Sequence, residues 1–126
     1  MSLTTLQNGS DIRGVALGGV EGEPVALTSE AVARIAAAFS LWLQKTAQLD
    51  KPRICIGHDS RLSAASLKAA ACVGIQSKGG VVLEAGLATT PSLFMATQFE
   101  ATRCDGAIML TASHLPANRN GMKFFT

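Results

Sequence analysis

Two hydrophobic periods alternate along the chain. After a polar start, residues 10–17 (SDIRGVAL) read as a short extended entry, followed by a Gly-rich turn, GGVEGEP. From TSE onward, Val32, Ile35, Phe39 and Leu43 recur at helical spacing. Thr28 or Ser29 is placed to cap that helix, and Glu30 suits its first turn. A single apolar stripe of this kind predicts a helix laid on a core. Pro52 breaks the run, RICIG (53–57) reads as a strand, and HDSRLS is a polar loop. A second helix should start at Ser63 as its cap and end near Ser77, closed by Lys78-Gly79-Gly80. VVLEAG (81–86) is a strand, and a third helix is predicted from Pro91 after LATT. DGAIMLTAS (105–113) is a strand, Asn120-Gly121 is a turn signal, and NGMKFFT begins a further extended segment. The resulting order, β-α-β-α-β-α-β, predicts one layered α/β/α domain over residues 1–126 with a mixed, mostly parallel sheet. In such sheets, chemistry gathers in loops beyond the carboxyl ends of the strands. Three polar loops occupy those positions: HDSR, ATTPS and TASHLP.

Composition narrows the classes. At 126 residues with 48% hydrophobic positions, the chain can bury a core, which argues against disorder. The net charge of +2 is spread among interspersed acids and bases, and the aromatics are not interleaved with Arg or Lys. That pattern gives no support to nucleic-acid binding. No apolar segment is long and uncharged enough to span a bilayer. Cys55, Cys72 and Cys104 are far apart and odd in number, so neither a disulfide framework nor a zinc site is indicated. Buried reduced thiols and a cytoplasmic location fit best. The first residues do not form a secretory signal, and an organelle location would require a transit peptide already removed.

The loop 111–116 raises the chemical question. Ser113 and His114 are adjacent, and neighbouring side chains in extended backbone point to opposite faces, so they do not form a nucleophile–base pair. A hydrolase assembled from Ser113, His58 and Asp59 is the weaker possibility, because G-x-S-x-G is absent. Phosphate chemistry accounts for more residues. A phosphoserine carries about −1.5 to −2 charge and needs cations and donors around it. Arg13, Arg61, His114, Arg119 and Lys123 are available. No Walker A motif is present, and no G-x-G-x-x-G follows a strand, so a nucleotide fold is not signalled.

Segment 111–123, TASHLPANRNGMK, resembles the active-site serine loop of the α-D-phosphohexomutases, T-[AG]-S-H-N-P followed by N-G-x-K. SDIRG resembles their N-terminal arginine motif, GHDSRLS their G-R-D-x-R-x-S loop, and ATTP their T-P segment before a helix. The order of the four motifs matches as well, and DIRG is closest to the bifunctional phosphomannomutase/phosphoglucomutase branch. The resemblance implies that Ser113 is the serine that carries the phosphoryl group. Its phosphoryl would pass to a hexose monophosphate, giving a hexose 1,6-bisphosphate that returns its other phosphoryl to Ser113. Lys123 would assist proton transfer at the sugar hydroxyl, Arg13 would lie beside the phosphoserine, and His114 would neighbour it. The same four residues would bind substrate phosphate, and a phosphate oxygen on Ser113 would be one ligand of Mg²⁺.

Two positions depart from the family pattern: Leu115 stands where an Asn follows Ser-His, and His58 replaces the Arg of G-R-D. Asp59 and Arg61 are expected to serve as local structural support. The resemblance covers only the first of four domains, since no D-G-D-x-D-R metal loop occurs in the chain. The expectation is therefore a first domain of a larger isomerase of sugar phosphates, whose remaining domains complete the site. The stop at Thr126, within an apolar extended run, fits that expectation. Alone, the domain should turn over very little substrate. The alternative is a catalytically silent module of the same fold that binds sugar phosphates or a protein partner.

Overall fold

The computed structural model describes residues 6–8, 11–87, 104–111, 116 and 118–126. Eight elements occur in chain order: β1 (Gln7–Asn8), β2 (Asp11–Val15), α1 (Ser29–Thr46), β3 (Arg53–His58), α2 (Ala64–Ser77), β4 (Val81–Leu87), β5 (Gly106–Leu110) and β6 (Arg119–Phe125). They form a six-stranded sheet in the order β1-β2-β6-β5-β3-β4. The sheet is mixed, as expected, but it is not mostly parallel, since three of its five described strand pairings are antiparallel. β3 pairs in parallel with both β4 and β5, whereas β5–β6, β2–β6 and β1–β2 are antiparallel. The parallel strands β3 and β4 are joined through α2, and the antiparallel part sets β2 beside the last strand, β6, within the sheet. The helix expected after Pro91 lies outside the described residues.

Each helix forms for reasons visible in its sequence. The Thr28 Oγ1 accepts the Ala31 N–H at 3.1 Å, the side-chain cap anticipated for α1. Val32, Ala36 and Leu43 are buried on the face of α1 turned to the sheet, with Ile35 and Phe39 packed beside them. From α2, Leu67, Ala71 and Ile75 join Ile54, Ile56, Ile108, Leu110 and Met122 of the sheet in the same core. Both described helices therefore lie on one face. The opposite face holds a smaller buried cluster of Cys55, Cys104, Ala107 and Met109. Burial raises the Cys104 thiol to about 11, and the neighbouring Cys55 thiol adds to that rise. Cys72 is half-buried.

Ser63 and Asn120 are used differently from the sequence expectation. Ser63 precedes α2 but makes no side-chain cap hydrogen bond. Its hydroxyl instead accepts the Asn120 Nδ2 at 2.7 Å. Asn120-Gly121 is not a turn but the interior of β6, and Asn120 is fully buried. The physical reason is close packing: a Cβ on Gly121 would overlap the Ile12 carbonyl oxygen and lie 2.8 Å from that of Thr111. Asn120 in turn bonds its Oδ1 to the Gly121 N–H at 2.9 Å, so the buried amide has partners at both ends.

The two helices also meet at a glycine. A Cβ on Gly74 would overlap the Ala33 carbonyl oxygen of α1, so no larger residue fits without moving the helices apart. Gly74→Ala is expected to destabilise the chain by about 1–3 kcal/mol, read as a lower urea midpoint. An unchanged midpoint would show that α1 and α2 separate at no cost.

Candidate functional site

Period-two geometry builds the cationic part of the site. Arg13 lies opposite Gly121 and Ile12 opposite Met122 in the β2–β6 ladder, so Asp11 and Arg13 share a sheet face with Gly121 and Lys123. The Asp11 Oδ2 accepts from Lys123 Nζ at 3.1 Å and from Arg13 Nη2 at 3.4 Å. One carboxylate oxygen thus gathers two cations from strands at opposite ends of the chain, leaving a net single positive charge. The Arg13 Nε is buried and has no hydrogen-bond partner among the described residues. A buried unpaired donor is costly, and an anion oxygen is the kind of group that would satisfy it.

The second part is a pair of loops at the carboxyl ends of the adjacent strands β3 and β5. Asp59 N–H donates to the Leu110 carbonyl at 3.2 Å, continuing the ladder into the loops. The Asp59 Oδ2 accepts from the Thr111 hydroxyl at 2.7 Å and from Arg61 Nε at 3.3 Å. Arg61 Nη1 donates to the Pro116 carbonyl at 2.8 Å and to that of Arg119 at 3.2 Å. Arg119 pairs with Glu23 at 3.0 Å, and hydrogen bonds from Arg119 and then Asn118 hold the Glu23 carboxyl below its ordinary range.

Among the residues expected from the sequence, Arg13 and Lys123 are brought together. Ser113 and His114, and with them Leu115, lie outside the described residues. The described ends of their segment, Thr111 and Pro116, are held by Asp59 and Arg61. His58 does not form a dyad with Asp59. Its Nδ1 donates to the Asp59 main-chain carbonyl at 2.8 Å, while the carboxylate is taken by Thr111 and Arg61. The Asp59 carboxylate is thus not the partner of His58 that a Ser113–His58–Asp59 triad requires. Asp11 and Thr111 were not singled out from the sequence. Asp11 had a usable signal, since D-I-R in a strand places Asp and Arg on one face.

A magnesium site is not met by these residues alone. Among the described residues, no three His, Cys, Asp or Glu side chains come together. The two acids nearest the site, Asp11 and Asp59, are already committed to cations. No helix among the described residues is long and apolar enough to cross a membrane.

Comparison with known proteins gives the class. A family model described as phosphoglucomutase/phosphomannomutase, alpha/beta/alpha domain I, matches residues 4–126. The chain belongs to this family, within the α-D-phosphohexomutases. It is 41% identical over 99 residues to a phosphoglucosamine mutase of Caldicellulosiruptor saccharolyticus, an alignment covering 79% of this chain and 21% of the relative. The phosphoglucosamine mutase of Helicobacter pylori is 39% identical over 108 residues, 85% of this chain and 23% of its own. The chain thus spans about a fifth of the length of these curated relatives. A crystal structure of a phosphoglucomutase/phosphomannomutase family protein from Burkholderia thailandensis superposes with a TM-score of 0.77 at 27% identity. That superposition covers 98% of this chain and 26% of the other.

Removing the shared acceptor should expose what it does. Asp11→Asn leaves Arg13 and Lys123 as like charges side by side. We expect a loss of roughly 0.5–1 kcal/mol at low salt, of the size expected for partly exposed ion pairs. Inorganic phosphate should then stabilise the variant more than the parent, read as the rise in melting temperature on titration. Equal rises in both chains would show that Asp11 does not govern the charge of the site.

Proposed function

We propose that this domain is the first of four in a phosphohexomutase and carries the phosphoryl group on Ser113. The observation that best supports the reading is the meeting of Arg13 and Lys123 on Asp11, with the Thr111 N–H bonded to the Gly121 carbonyl on the same strand as Lys123. In the reaction, the P–O bond to Ser113 Oγ breaks as a sugar hydroxyl of a hexose monophosphate takes the phosphoryl group. The hydroxyl proton leaves to a base, the role proposed for Lys123 in its neutral amine form, and a hexose 1,6-bisphosphate results. After reorientation, the other phosphoryl returns to Ser113 Oγ, and the proton goes back to the released hydroxyl. Arg13 offers its buried Nε and His114 a neighbouring ring to the phosphate oxygens. Fixed donors aimed at a transferring phosphoryl group are the main source of rate in such reactions.

The remaining domains would supply the sugar contacts and the carboxylates for Mg²⁺, to which this chain would add a phosphate oxygen on Ser113. A bound magnesium ion spreads the negative charge of the transferring group. Glucosamine phosphate is one substrate to test beside glucose and mannose phosphates, because the reported relatives are phosphoglucosamine mutases. Action in the cytoplasm accords with phosphorylated sugar substrates.

Intact-mass measurement after incubation with glucose 1,6-bisphosphate should show about one phosphate on the wild-type protein, removed by phosphatase and absent from Ser113→Ala. In the full-length protein, Ser113→Ala should lower mutase turnover by at least about a thousandfold while leaving the melting temperature unchanged. Wild-type turnover in Ser113→Ala would sink the phosphoserine reading.

A further inference from the structure

We propose that Asp59 and Arg61 are positioning residues for the phosphoryl-carrying segment, a two-point clamp that holds the chain before and after Ser113. This rests on the reading of Ser113 as the phosphoryl carrier. On the near side, Asp59 engages two successive residues: its N–H donates to the Leu110 carbonyl and its carboxylate accepts the Thr111 hydroxyl at 2.7 Å. On the far side, Arg61 reaches the carbonyls of Pro116 and Arg119 through a single nitrogen. The two halves are joined, because Arg61 also donates its backbone N–H to Asp59 Oδ1 at 3.1 Å and its Nε to Oδ2 at 3.3 Å. The Arg61 side chain is 11% exposed, and its bonds to Asp59 and Arg119 are part-buried, whereas the bond to the Pro116 carbonyl lies at the surface. A third tie lies two residues on, where Ser63 accepts from buried Asn120. The loop after β3 and the residue before α2 therefore hold Thr111 on one side of Ser113 in sequence, and Pro116, Arg119 and Asn120 on the other.

Local support of the loop after β3 itself would need only the Asp59–Arg61 bonds. The bonds to Thr111, Pro116 and Arg119 cross 52 to 58 positions of sequence and end on the segment that contains Ser113. A fork of donors in fixed geometry can hold a carboxylate and two carbonyls together. A lysine ammonium, as a point charge on a flexible stem, cannot. Displacement of a reacting group by about 1 Å is enough to lower turnover roughly a hundredfold.

The test compares Arg61→Lys, Thr111→Val and Thr111→Ser. In the 126-residue chain, hydrogen exchange is followed at two amides bonded within the clamped region, Thr111 to Gly121 O and Arg119 to Pro116 O. Arg61→Lys should speed exchange at these amides at least about tenfold, while amides of β3 and α1 keep their protection. Uniform acceleration across the domain, or none, would overturn the clamp. In the full-length protein, kcat should fall roughly a hundredfold in Arg61→Lys and Thr111→Val, with KM changed less than about threefold, and Thr111→Ser should restore it. If Ser113→Ala abolishes turnover but Arg61→Lys and Thr111→Val keep wild-type kcat, the clamp is wrong and the phosphoserine reading stands. If Ser113→Ala keeps turnover, that reading fails, and with it the functional role assigned here to Asp59 and Arg61.

Discussion

The carboxylate of Asp59 is the junction on which the functional end of this domain depends. It follows directly from β3, the strand that sits between β4 and β5 in the parallel part of the sheet. A hydroxyl from the residue after β5 and a guanidinium from its own loop both converge on it. The pair is partly buried, where hydrogen bonds to charged groups are stronger than in water and an unpaired charge is costly. Loss of the carboxylate would remove a shared acceptor from both donors at once. That junction turns two separate polar loops into one unit.

Sheet topology supplies the other half. Because β6 runs antiparallel to both β5 and β2, the chain that leaves the loop after β5 returns at once alongside the N-terminal strand. Lys123 thereby meets Asp11 and Arg13, residues more than a hundred positions away. Gly121 permits the approach, since any side chain there would strike the main chain of the neighbouring strands. The family glycine is thus a packing requirement of the sheet, although its dipeptide has the look of a turn.

Much of this was legible in the sequence, and the failures have physical causes. α1 was readable because its stripe, its Thr28 cap and its acidic first turn all agreed. The parallel strands were readable from short apolar runs between helices. β1 was missed, as two residues leave no period to detect. Asn120-Gly121 gave a turn signal because the dipeptide favours turns locally, although NGMKFFT as a whole read correctly as extended, and long-range packing places the pair inside β6. Ser63 looked like a cap from its local preference too, yet a buried amide from β6 competes for its hydroxyl. For the site, Arg13 and Lys123 came from family motifs, and their meeting on Asp11 required the β2–β6 register. The Asp59–Thr111 bond spans 52 positions, a separation at which residue spacing carries no information.

The most direct measurement is a double-mutant cycle on Asp59 and Thr111, using Asp59→Ala, Thr111→Val and the double variant in urea unfolding. If the carboxylate and the hydroxyl join the two loops, the single costs should fail to add, leaving a coupling of about 1–2 kcal/mol between the sites. Additivity to within about 0.3 kcal/mol would contradict the account, since the two loops would then be neighbours without being held together.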